Sequence, residues 1–453
     1  MVDDFFQLKK KQTNVKIEIV AGITTFLTMA YIIFVNPSIL SLEGIPEQQL
    51  IGIERMNKDA LIAVTCIVTA ITTIIVGLIA KAPIAMAPGM GLNAFFAYLI
   101  ASRKMDWQTA LGVVFISGLL FLAITLLGLR KKIVEAIPPS LVSAIAVGIG
   151  LFITFIGLKN LGVIVKDPIT FVSAGSLTIT VLIGLIGLLV MIVFEMKKIV
   201  GGLVVGILAS TILAVFFDKN VQIPQQFISL HLNIEKIAFH LNILSALKWS
   251  FFGTIFTLAF IDMFDSVGTL IACCHQAGMA DEKGNIVGID RLLSIDAVAT
   301  VIGSLLGTST VTAYVESAAG IEQGGRSGLT SIVTGILFLL ALLFVPLVTV
   351  VPLYATAPAL IMVGLFMMKE VKKIDFDSMD QAFPAFIIMV MIALSYSIST
   401  GLAFGFVSFT LIKLVSGKVK DIKPAMWVIA VLSILFLTVD QYPVIISWIK
   451  SII

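Results

Sequence analysis

The stretch LIAVTCIVTAITTIIVGLIA, residues 61–80, contains no charged side chain. A second stretch of the same kind, LTITVLIGLIGLLVMIVF, occupies residues 177–194. Uncharged apolar runs of about 18 residues or more are long enough to cross the hydrocarbon core of a membrane as a helix. The whole sequence is 59% hydrophobic and 13% charged, whereas a soluble domain has about 25% charged residues. These observations predict an all-α polytopic membrane protein in contact with lipid.

Apolar segments continue along the chain and predict about fourteen transmembrane spans. Seven fall within residues 1–217 and form a first repeat, and seven fall within 247–417 and form a second repeat, with a polar connection at 218–246. In the C-terminal segment 418–453, an apolar part at 424–448 is interrupted by an acidic residue and a proline, so it is either an extra span or a surface helix. The fourteen predicted spans are 18–40, 60–80, 83–101, 108–128, 133–157, 170–195, 199–217, 248–273, 291–306, 309–321, 328–350, 353–368, 382–398 and 401–417.

The basic residues of the predicted loops indicate how the chain is oriented. Cytoplasmic loops of membrane proteins carry an excess of Lys and Arg. The N-terminus and the loops that follow it on the same side are basic, which predicts a cytoplasmic N-terminus and an extracytoplasmic connection at 218–246. The net charge of +3 is spread over these loops, and no basic patch indicates nucleic-acid binding. The basic residues on the predicted cytoplasmic side are Lys9, Lys10, Lys11, Lys16, Lys81, Arg130, Lys131, Lys132, Lys197, Lys198, Lys283, Arg326, Lys369, Lys372 and Lys373.

Seven spans per half is an odd number, so the second half starts on the opposite side of the membrane from the first. This is the condition for an inverted repeat. Weak self-similarity supports a duplication: TMAYIIFVN (28–36) aligns with TLAFIDMFD (257–265), and VGIGLF (147–152) aligns with IMVGLF (361–366). The sequence therefore predicts two seven-span repeats of inverted topology.

The third and tenth spans are short and rich in Gly, Pro, Ser and Thr. The stretches APGMG (87–91) and GTSTVTAYV (307–315) interrupt the helical pattern. Interrupted helices expose backbone N–H and C=O groups, which are tolerated inside a membrane only where protein buries them or where they line a cavity. Two such spans that point toward each other offer backbone donors and hydroxyls to a polar ligand.

Three acidic residues of the eighth and tenth predicted spans are candidates for a site. Asp262 and Asp265 are three residues apart and lie roughly on one helix face, and Glu316 lies in the tenth span. The approximate counterpart of Glu316 in the third span is Asn93. Carboxyl groups in an apolar surrounding can accept N–H donors from a ligand and can exchange a proton, which indicates a proton-coupled carrier. The alternative is that they are packing partners hydrogen-bonded to Ser or Thr of neighbouring spans.

Other polar and aromatic residues have simpler interpretations. GIEQGGRSGLT (320–330) lacks the strand and the GK[ST] end of a phosphate-binding loop and is interpreted as a sharp turn. Asp290, Arg291 and Asp296 are interpreted as a helix cap or an ion pair. The aromatic side chains at 95, 260 and 314 either stack on a planar ligand or pack in the core. The cysteines at 66, 273 and 274 show no metal-ligand spacing, so neither a metal nor a cofactor is predicted.

Five motifs resemble the AzgA-like purine permeases, which belong to the nucleobase:cation symporter group that also includes the xanthine and uracil permeases. The resemblance runs over nearly the whole chain. It implies fourteen spans in two inverted repeats, with a core domain of spans 1–4 and 8–11 and a gate domain of spans 5–7 and 12–14. It also implies short extended strands in the third and tenth spans. The motifs are AGITTFLTMAYIIFVNPSIL (21–40), APGMGLNAFFAY (87–98), FDSVGTLI (264–271), GTSTVTAYVESAAGIEQGGRSGLT (307–330) and YATAPALIMVGLFM (354–367).

The same resemblance implies a function and a set of site residues. It implies a transporter, not an enzyme, that imports purine nucleobases through the plasma membrane by proton symport, with an elevator-type movement and often as a homodimer. Glu316 matches the tenth-span acid that contacts the base, Asp262 an eighth-span position that also contacts it, and Asp265 the nearby acid tied to coupling or to core architecture. We expect either Asp262 or Asp265 to exchange the proton. The predicted substrate-binding residues are Glu316, Asp262, Asn93, Phe260, Phe95, Tyr314 and Ser317.

The motifs are closer to the hypoxanthine/guanine branch than to the adenine branch of these permeases. A carboxylate accepts N–H donors from N1 of hypoxanthine or guanine, whereas N1 of adenine is itself an acceptor. An adenine-preferring symporter therefore stays as the alternative, and the coupled ion is either H⁺ or Na⁺. An anion transporter of similar architecture would need a cationic residue near the third and tenth spans, and 82–98 and 305–320 contain none. A membrane-embedded aspartyl protease would need its two acids on separate, facing helices.

Overall fold

The computed structural model describes residues 2–45, 47–128, 137–221, 224, 226–228, 232–280 and 286–439. Helices dominate, and two pairs of short strands interrupt them. The elements of the first half are α1 Val2–Phe6, α2 Val15–Met29, α3 Ile32–Leu40, α4 Lys58–Ile75 with a π-helical end at Val76–Ala80, β1 Met86–Pro88, α5 Met90–Ala101, α6 Trp107–Leu126, α7 Pro139–Leu161, β2 Ile164–Asp167, β3 Phe171–Ala174, α8 Ile179–Met196 and α9 Gly202–Phe217.

The second half repeats this succession of long helices around one short strand. Short 3₁₀ turns link several of its helices. Its elements are α10 Ile243–Ala246, α11 Phe252–Gln276, α12 Ile289–Leu306, β4 Val311–Ala313, α13 Ser317–Glu322, α14 Gly328–Ala341, α15 Val345–Thr349, α16 Leu353–Met368, α17 Met379–Ser395, α18 Ile398–Val415 and α19 Pro424–Val439.

The predicted all-α polytopic fold is confirmed. Within the described residues, nine helices are long and apolar enough to cross a membrane, and shorter apolar helices accompany them. Every predicted span overlaps a helix, and the third and tenth spans begin as strands, as expected. The count of fourteen spans and the division at 217 and 247 stay predictions.

Several predictions fall on residues outside the described ranges. These are the basic residues Arg130, Lys131, Lys132 and Lys283, parts of the connection 218–246, and the end of the C-terminal segment from residue 440 onward. Of the apolar stretch 424–448, the described part is a helix, α19, that packs on α18.

Capping residues fix where many of the helices begin. Ser, Thr, Asp and Asn favour the N-cap because their side-chain oxygen accepts a hydrogen bond from a free backbone N–H of the first turn. The N-cap residues whose side chains make this bond at the long helices are Asn14, Asn57, Asp106, Thr178, Ser327 and Ser397.

The strands β1 and β4 pair antiparallel in the middle of the helix bundle. Ala87 lies opposite Thr312 in the register. The pairing extends beyond the strands, since the N–H of Gly89 donates to the carbonyl of Thr310 at 2.9 Å. A strand of three residues forms few ladder bonds, so its remaining backbone groups need partners elsewhere.

Two threonines supply those partners in the same way in the two halves. The Thr73 hydroxyl of α4 accepts from the Met86 N–H at 3.0 Å and donates to the Met86 carbonyl at 3.1 Å. The Thr300 hydroxyl of α12 accepts from the Val311 N–H at 3.1 Å and donates to the Val311 carbonyl at 3.0 Å. Met86 and Val311 each begin a strand. This equivalence supports the predicted inverted repeat.

The helices pack in two groups that each contain elements of both halves. One, here called the core group, consists of α2–α6 and α11–α15 with β1 and β4, and the other, here called the gate group, consists of α7–α9 and α16–α19. They correspond to the core and gate domains that the resemblance implies. The groups touch at several places, which include α5 with α7, α3 with α16 and α2 with α9, and the Phe260 ring lies 5.9 Å from the Phe406 ring.

Candidate substrate-binding site

Polar side chains converge around the paired strands of the core group. Helix α5 begins two residues after the end of β1, and α13 begins four residues after the end of β4. Because β1 and β4 pair antiparallel, the two helix starts lie at opposite ends of this small sheet. The side chains that flank the strands come from the first, eighth and ninth predicted spans.

Glu316 lies at the N-cap position of α13 and is half-buried. The Tyr31 hydroxyl donates to its Oε1 at 2.7 Å, which fixes the carboxyl group in one position. The Thr28 hydroxyl lies 3.4 Å from the Glu316 carbonyl oxygen. The preceding residue, Val315, is 53% exposed, so the chain is accessible at this point. Tyr31 lies at the break between α2 and α3, and the sequence analysis did not single it out.

Asp262 and Asp265 differ in environment although they are three residues apart on α11. Asp262 is 1% exposed, and its Oδ2 accepts from the Thr300 hydroxyl at 2.8 Å. Its Oδ1 has no hydrogen-bond partner within the described part of the chain. Asp265 is exposed, and its helix packs on α13, the helix that begins after Glu316. The structure therefore leaves Asp265 and Glu316 accessible on neighbouring elements, whereas Asp262 is buried.

The face of α11 that carries Asp265 continues to the end of the helix as exposed small and polar residues. Gly268, Ala272 and Gln276 follow at helical spacing and are exposed. Gln276 donates from its Nε2 to the Glu322 Oε1 of α13 at 3.1 Å. This hydrogen bond joins the end of α11 to the end of α13. The exposed face of α11 with small and polar side chains extends from Gln276 to Asp265.

The interpretation of Asp296 as a cap or an ion pair was wrong. Its side chain is completely buried in α12 and accepts hydrogen bonds from the Ser266 hydroxyl at 2.5 Å and from the Ala313 N–H at 3.0 Å. Ser266 also lies 2.8 Å from the Thr312 hydroxyl. Asp296 therefore links α11, α12 and β4. The sequence signal that points to it is its position one helical turn before Thr300.

Asn93 lies in a separate polar cluster between spans of the first half and the approach to β4. It is completely buried and donates from its Nδ2 to the Asn36 Oδ1 at 2.7 Å. The Ser309 hydroxyl donates to its Oδ1. Asn36 in turn donates to the Thr65 hydroxyl at 2.7 Å. Asn93 is thus held by side chains and lies at the other end of the strand pair from Glu316.

The remaining predicted site residues support the strands or lie at the boundary between the groups. The Tyr314 hydroxyl donates to the Pro88 carbonyl at 2.6 Å. The Ser317 hydroxyl accepts from the Ala85 N–H at 3.0 Å. Phe95 is buried in α5. Phe260 is buried against a row of aromatic rings, with ring centroids 5.5 Å from Phe256, 4.7 Å from Phe264 and 5.9 Å from Phe406.

Two helix groups, a pair of short strands inside one of them and carboxyl groups beside these strands define a polytopic membrane transport protein. The family described as "Xan_ur_permease: Permease family" matches residues 16–404. The chain belongs to this xanthine/uracil permease family, so it is a permease and not an enzyme.

Individual proteins agree with this assignment. The guanine/hypoxanthine permease PbuG of Bacillus subtilis (strain 168) is 42% identical over 441 residues, 95% of this chain and 98% of PbuG. The adenine permease AdeP of Escherichia coli (strain K12) is 38% identical over 442 residues, 96% of this chain and 95% of AdeP. The transmembrane domain of a cyanobacterium bicarbonate transporter, BicA, has the same fold, with a TM-score of 0.64 at 16% identity, over 84% of this chain and 96% of that domain.

Proposed function

We propose that this permease imports purine nucleobases, with hypoxanthine and guanine favoured, by proton symport across the plasma membrane. The observation that supports this best is that two carboxyl groups, those of Asp265 and Glu316, are accessible on neighbouring elements of the core group. The substrates named for PbuG and AdeP are purine bases, which agrees with a site built around hydrogen-bond acceptors.

Glu316 is the residue best suited to bind the base. Tyr31 orients its carboxyl group, so that less rotational freedom is lost when a ligand binds. A carboxylate accepts the N1 proton of hypoxanthine, and it accepts both the N1 and the exocyclic amine protons of guanine. Phe260 offers an aromatic ring for stacking at the boundary with the gate group. Tyr314 and Ser317 hydrogen-bond to Pro88 and Ala85 and so hold the strand pair that presents the site, whereas Asn93 and Phe95 are buried in α5.

Either Asp262 or Asp265 carries the coupled proton. Asp262 has one buried oxygen without a hydrogen-bond partner among the described residues, and a proton would neutralise its charge. Asp265 is accessible from the polar face of α11, which gives a proton a path to the carboxyl pair. Exchange of the proton changes the charge next to Glu316 and so couples ion binding to base binding. The choice between H⁺ and Na⁺ is part of the test below.

The movement that fits the packing is an elevator displacement of the core group against the gate group. All the proposed site residues lie on the core group, so its displacement would carry the site as one body. The contacts between the groups are few compared with those within them, which favours sliding. The basic residues at the predicted cytoplasmic ends support an N-terminus inside the cell. A homodimer would hold the gate group still during this movement.

An adenine-preferring symporter is the second candidate, because AdeP matches 96% of this chain at 38% identity. Adenine presents an acceptor at N1, so it needs a protonated carboxyl group at Glu316 or a different pose. The two candidates share the fold and the site and differ only in the ranking of competing bases.

Uptake of labelled hypoxanthine by cells without their own purine permeases tests the proposal. Unlabelled guanine, adenine, xanthine and uracil serve as competitors, with and without a protonophore and with Na⁺ replaced by choline. Suppression by guanine and loss with the protonophore are expected. Dominant competition by adenine would favour the second candidate, and dependence on Na⁺ alone would contradict proton symport.

Glu316→Gln is the variant that tests the site itself. We expect it to raise KM at least about tenfold, equal to about 1.4 kcal/mol of binding free energy. Glu322→Gln is the matched control, because Glu322 lies on the same short helix but is exposed. Equal KM values for both variants and the unmodified protein would remove Glu316 from the binding site.

A further inference from the structure

A completely buried carboxyl group that the proposed transport cycle does not use lies at the start of the first span. Glu18 of α2 accepts from the backbone N–H of Arg326 at 2.9 Å, of Ser327 at 3.2 Å and of Thr330 at 3.2 Å. The Thr330 hydroxyl donates to it as well, at 2.6 Å. A buried carboxyl group that accepts several hydrogen bonds at once holds its donors in place. Glu18 therefore ties α2 to the first turn of α14.

The same link reaches the far end of α13. Arg326 donates from its Nη1 to the carbonyl of Ile321 at 2.5 Å and to that of Gly325 at 2.8 Å. Its own N–H is one of the donors to Glu18. Helix α13 has six residues, so the carbonyl of Ile321 and the Glu316 cap lie at its two ends. The chain of contacts thus runs from Glu18 through Arg326 to the helix that begins at Glu316.

Close backbone packing leaves α13 little freedom against the first span. A Cβ atom on Gly320 would lie 2.6 Å from the carbonyl oxygen of Ala21, and one on Gly22 would lie 2.6 Å from the Cβ of Val333. At the other end of α13, Tyr31 of the same span holds the Glu316 carboxyl group. The first span therefore restrains both ends of α13. Tyr31 bonds directly to Glu316 at the start of this helix, and Glu18 acts on its end through Arg326.

We propose that Glu18 is a positioning residue for purine binding, which sets the place of Glu316 through Arg326 and α13. The proposal rests on the proposed function, because it takes Glu316 as the residue that contacts the base. Glu18 does not touch the substrate. The GGRSGLT sequence then does more than form a turn. Its backbone N–H groups donate to the Glu18 carboxyl group, and its arginine side chain bonds to the end of α13.

Glu18→Gln tests this role, with Thr330→Val as a milder second variant that keeps the shape of the side chain and removes one donor. Glu43→Gln is the matched control, since Glu43 is exposed and paired with Lys58. For each variant, the amount of protein in the membrane, the KM and the maximal uptake rate per molecule are measured. Amide hydrogen exchange is measured in peptides that cover 314–330.

A positioning role predicts a specific pattern. Glu18→Gln should raise KM about five- to tenfold, whereas the maximal rate per molecule in the membrane should change less than about twofold. Thr330→Val should shift KM in the same direction by a smaller factor, and Glu43→Gln should not shift it. Exchange should accelerate in α13 as well as at Arg326, Ser327 and Thr330 in both variants. Addition of Tyr31→Phe to Glu18→Gln should raise KM by less than the product of the two single effects, because both residues act on Glu316.

Two outcomes overturn the proposal. In the first, both Thr330→Val and Glu18→Gln leave KM unchanged, and Glu18→Gln only reduces the amount of protein in the membrane. That pattern would make Glu18 a purely structural residue. The other is faster exchange confined to 326–330 with α13 unaffected. If the unmodified protein transports no purine, the proposed function fails instead, and that failure appears before any variant is compared.

Discussion

Thr69 stands in the first half of the chain where Asp296 stands in the second. Each lies one helical turn before the threonine that anchors a strand, Thr73 in one half and Thr300 in the other. Asp296 reaches the N–H of Ala313, the last residue of β4. The last residue of β1 is Pro88, which has no N–H to offer. The first half therefore has no donor for an acid at this place, and the Thr69 hydroxyl oxygen has no partner among the described residues.

This difference predicts opposite effects of two substitutions on stability. Asp296→Ala leaves the buried N–H of Ala313 without its acceptor, so we expect a loss of about 1–3 kcal/mol in the free energy of unfolding. Thr69→Val removes a buried hydroxyl that has no partner and should be neutral or slightly stabilising. Thermal unfolding of the purified protein in detergent measures both. Equal destabilisation by the two changes would contradict this account.

The two anchoring threonines are expected to differ in their effect on transport. Thr73→Val and Thr300→Val each remove the partner of a strand N–H and carbonyl, so both should lower stability by a similar amount, about 1–3 kcal/mol. Only Thr300 also donates to Asp262. We therefore expect Thr300→Val alone to raise KM, by about fivefold or more, equal to about 1 kcal/mol. Uptake kinetics per molecule in the membrane make the comparison, and an equal KM change for Thr73→Val would assign the effect to the strands instead.

A cross-link between the two groups should stop an elevator movement. Gly91 of α5 and Ile149 of α7 touch across the boundary, because a Cβ atom on Gly91 would lie 2.5 Å from the Ile149 Cγ2. In a background without Cys66, Cys273 and Cys274, the pair Gly91→Cys and Ile149→Cys should lose uptake on oxidation and regain it with a reductant.

The controls for this cross-link are the two single variants. Gly91→Cys alone and Ile149→Cys alone cannot join α5 to α7, so oxidation should leave their uptake unchanged. Complete cross-linking of the boundary pair with full uptake would rule out a sliding movement at α5 and α7.

A buried ion pair in the gate group provides a test of stability that is independent of the site. Lys413 of α18 and Asp380 of α17 are 2.7 Å apart, with side chains 8% and 7% exposed, and Lys418 lies 2.9 Å from the same carboxyl group. Removal of one partner of a buried pair costs about 3–5 kcal/mol. The loss of stability in Lys413→Met should lie at the lower end of this range, because Lys418 still faces Asp380. This variant should not change the KM of uptake. Adding Asp380→Leu should restore much of the lost stability in thermal unfolding, and a further loss would show that Asp380 has a role beyond the pair.

The sequence predicted the elements of this fold well because hydropathy is a property of each segment by itself. The uncharged run at 61–80 predicted a helix, and the Gly, Pro and Thr residues around 87 and 310 predicted the interruptions at which the strands lie. That these interruptions are strands was implied by the family resemblance. Glu316, Asp262 and Asp265 stood out because acids are rare in apolar segments.

The partners of these residues were not predictable from the same patterns. Tyr31 lies 285 residues from Glu316 in the chain, and Glu18 lies 308 residues from Arg326. A hydroxyl in an apolar span and an acid at a span's polar end carry no local signal of such a contact. The different environments of Asp262 and Asp265 follow from how α11 packs on its neighbours, which the spacing of three residues does not specify. The interpretation of Asp296 as a cap was wrong for the same reason, since its donors come from α11 and β4.

The pairing of β1 with β4 has a consequence for how this protein is made. Pro88 of β1 and Tyr314 after β4 are joined by a hydrogen bond although they are 226 residues apart in the chain. During synthesis β1 therefore enters the bilayer long before its partner leaves the ribosome. Its unpaired backbone groups are unfavourable in lipid until then. The first repeat must consequently wait at the translocon, in water or beside a chaperone, and a truncated chain that ends after α9 should be degraded rather than inserted as a stable half.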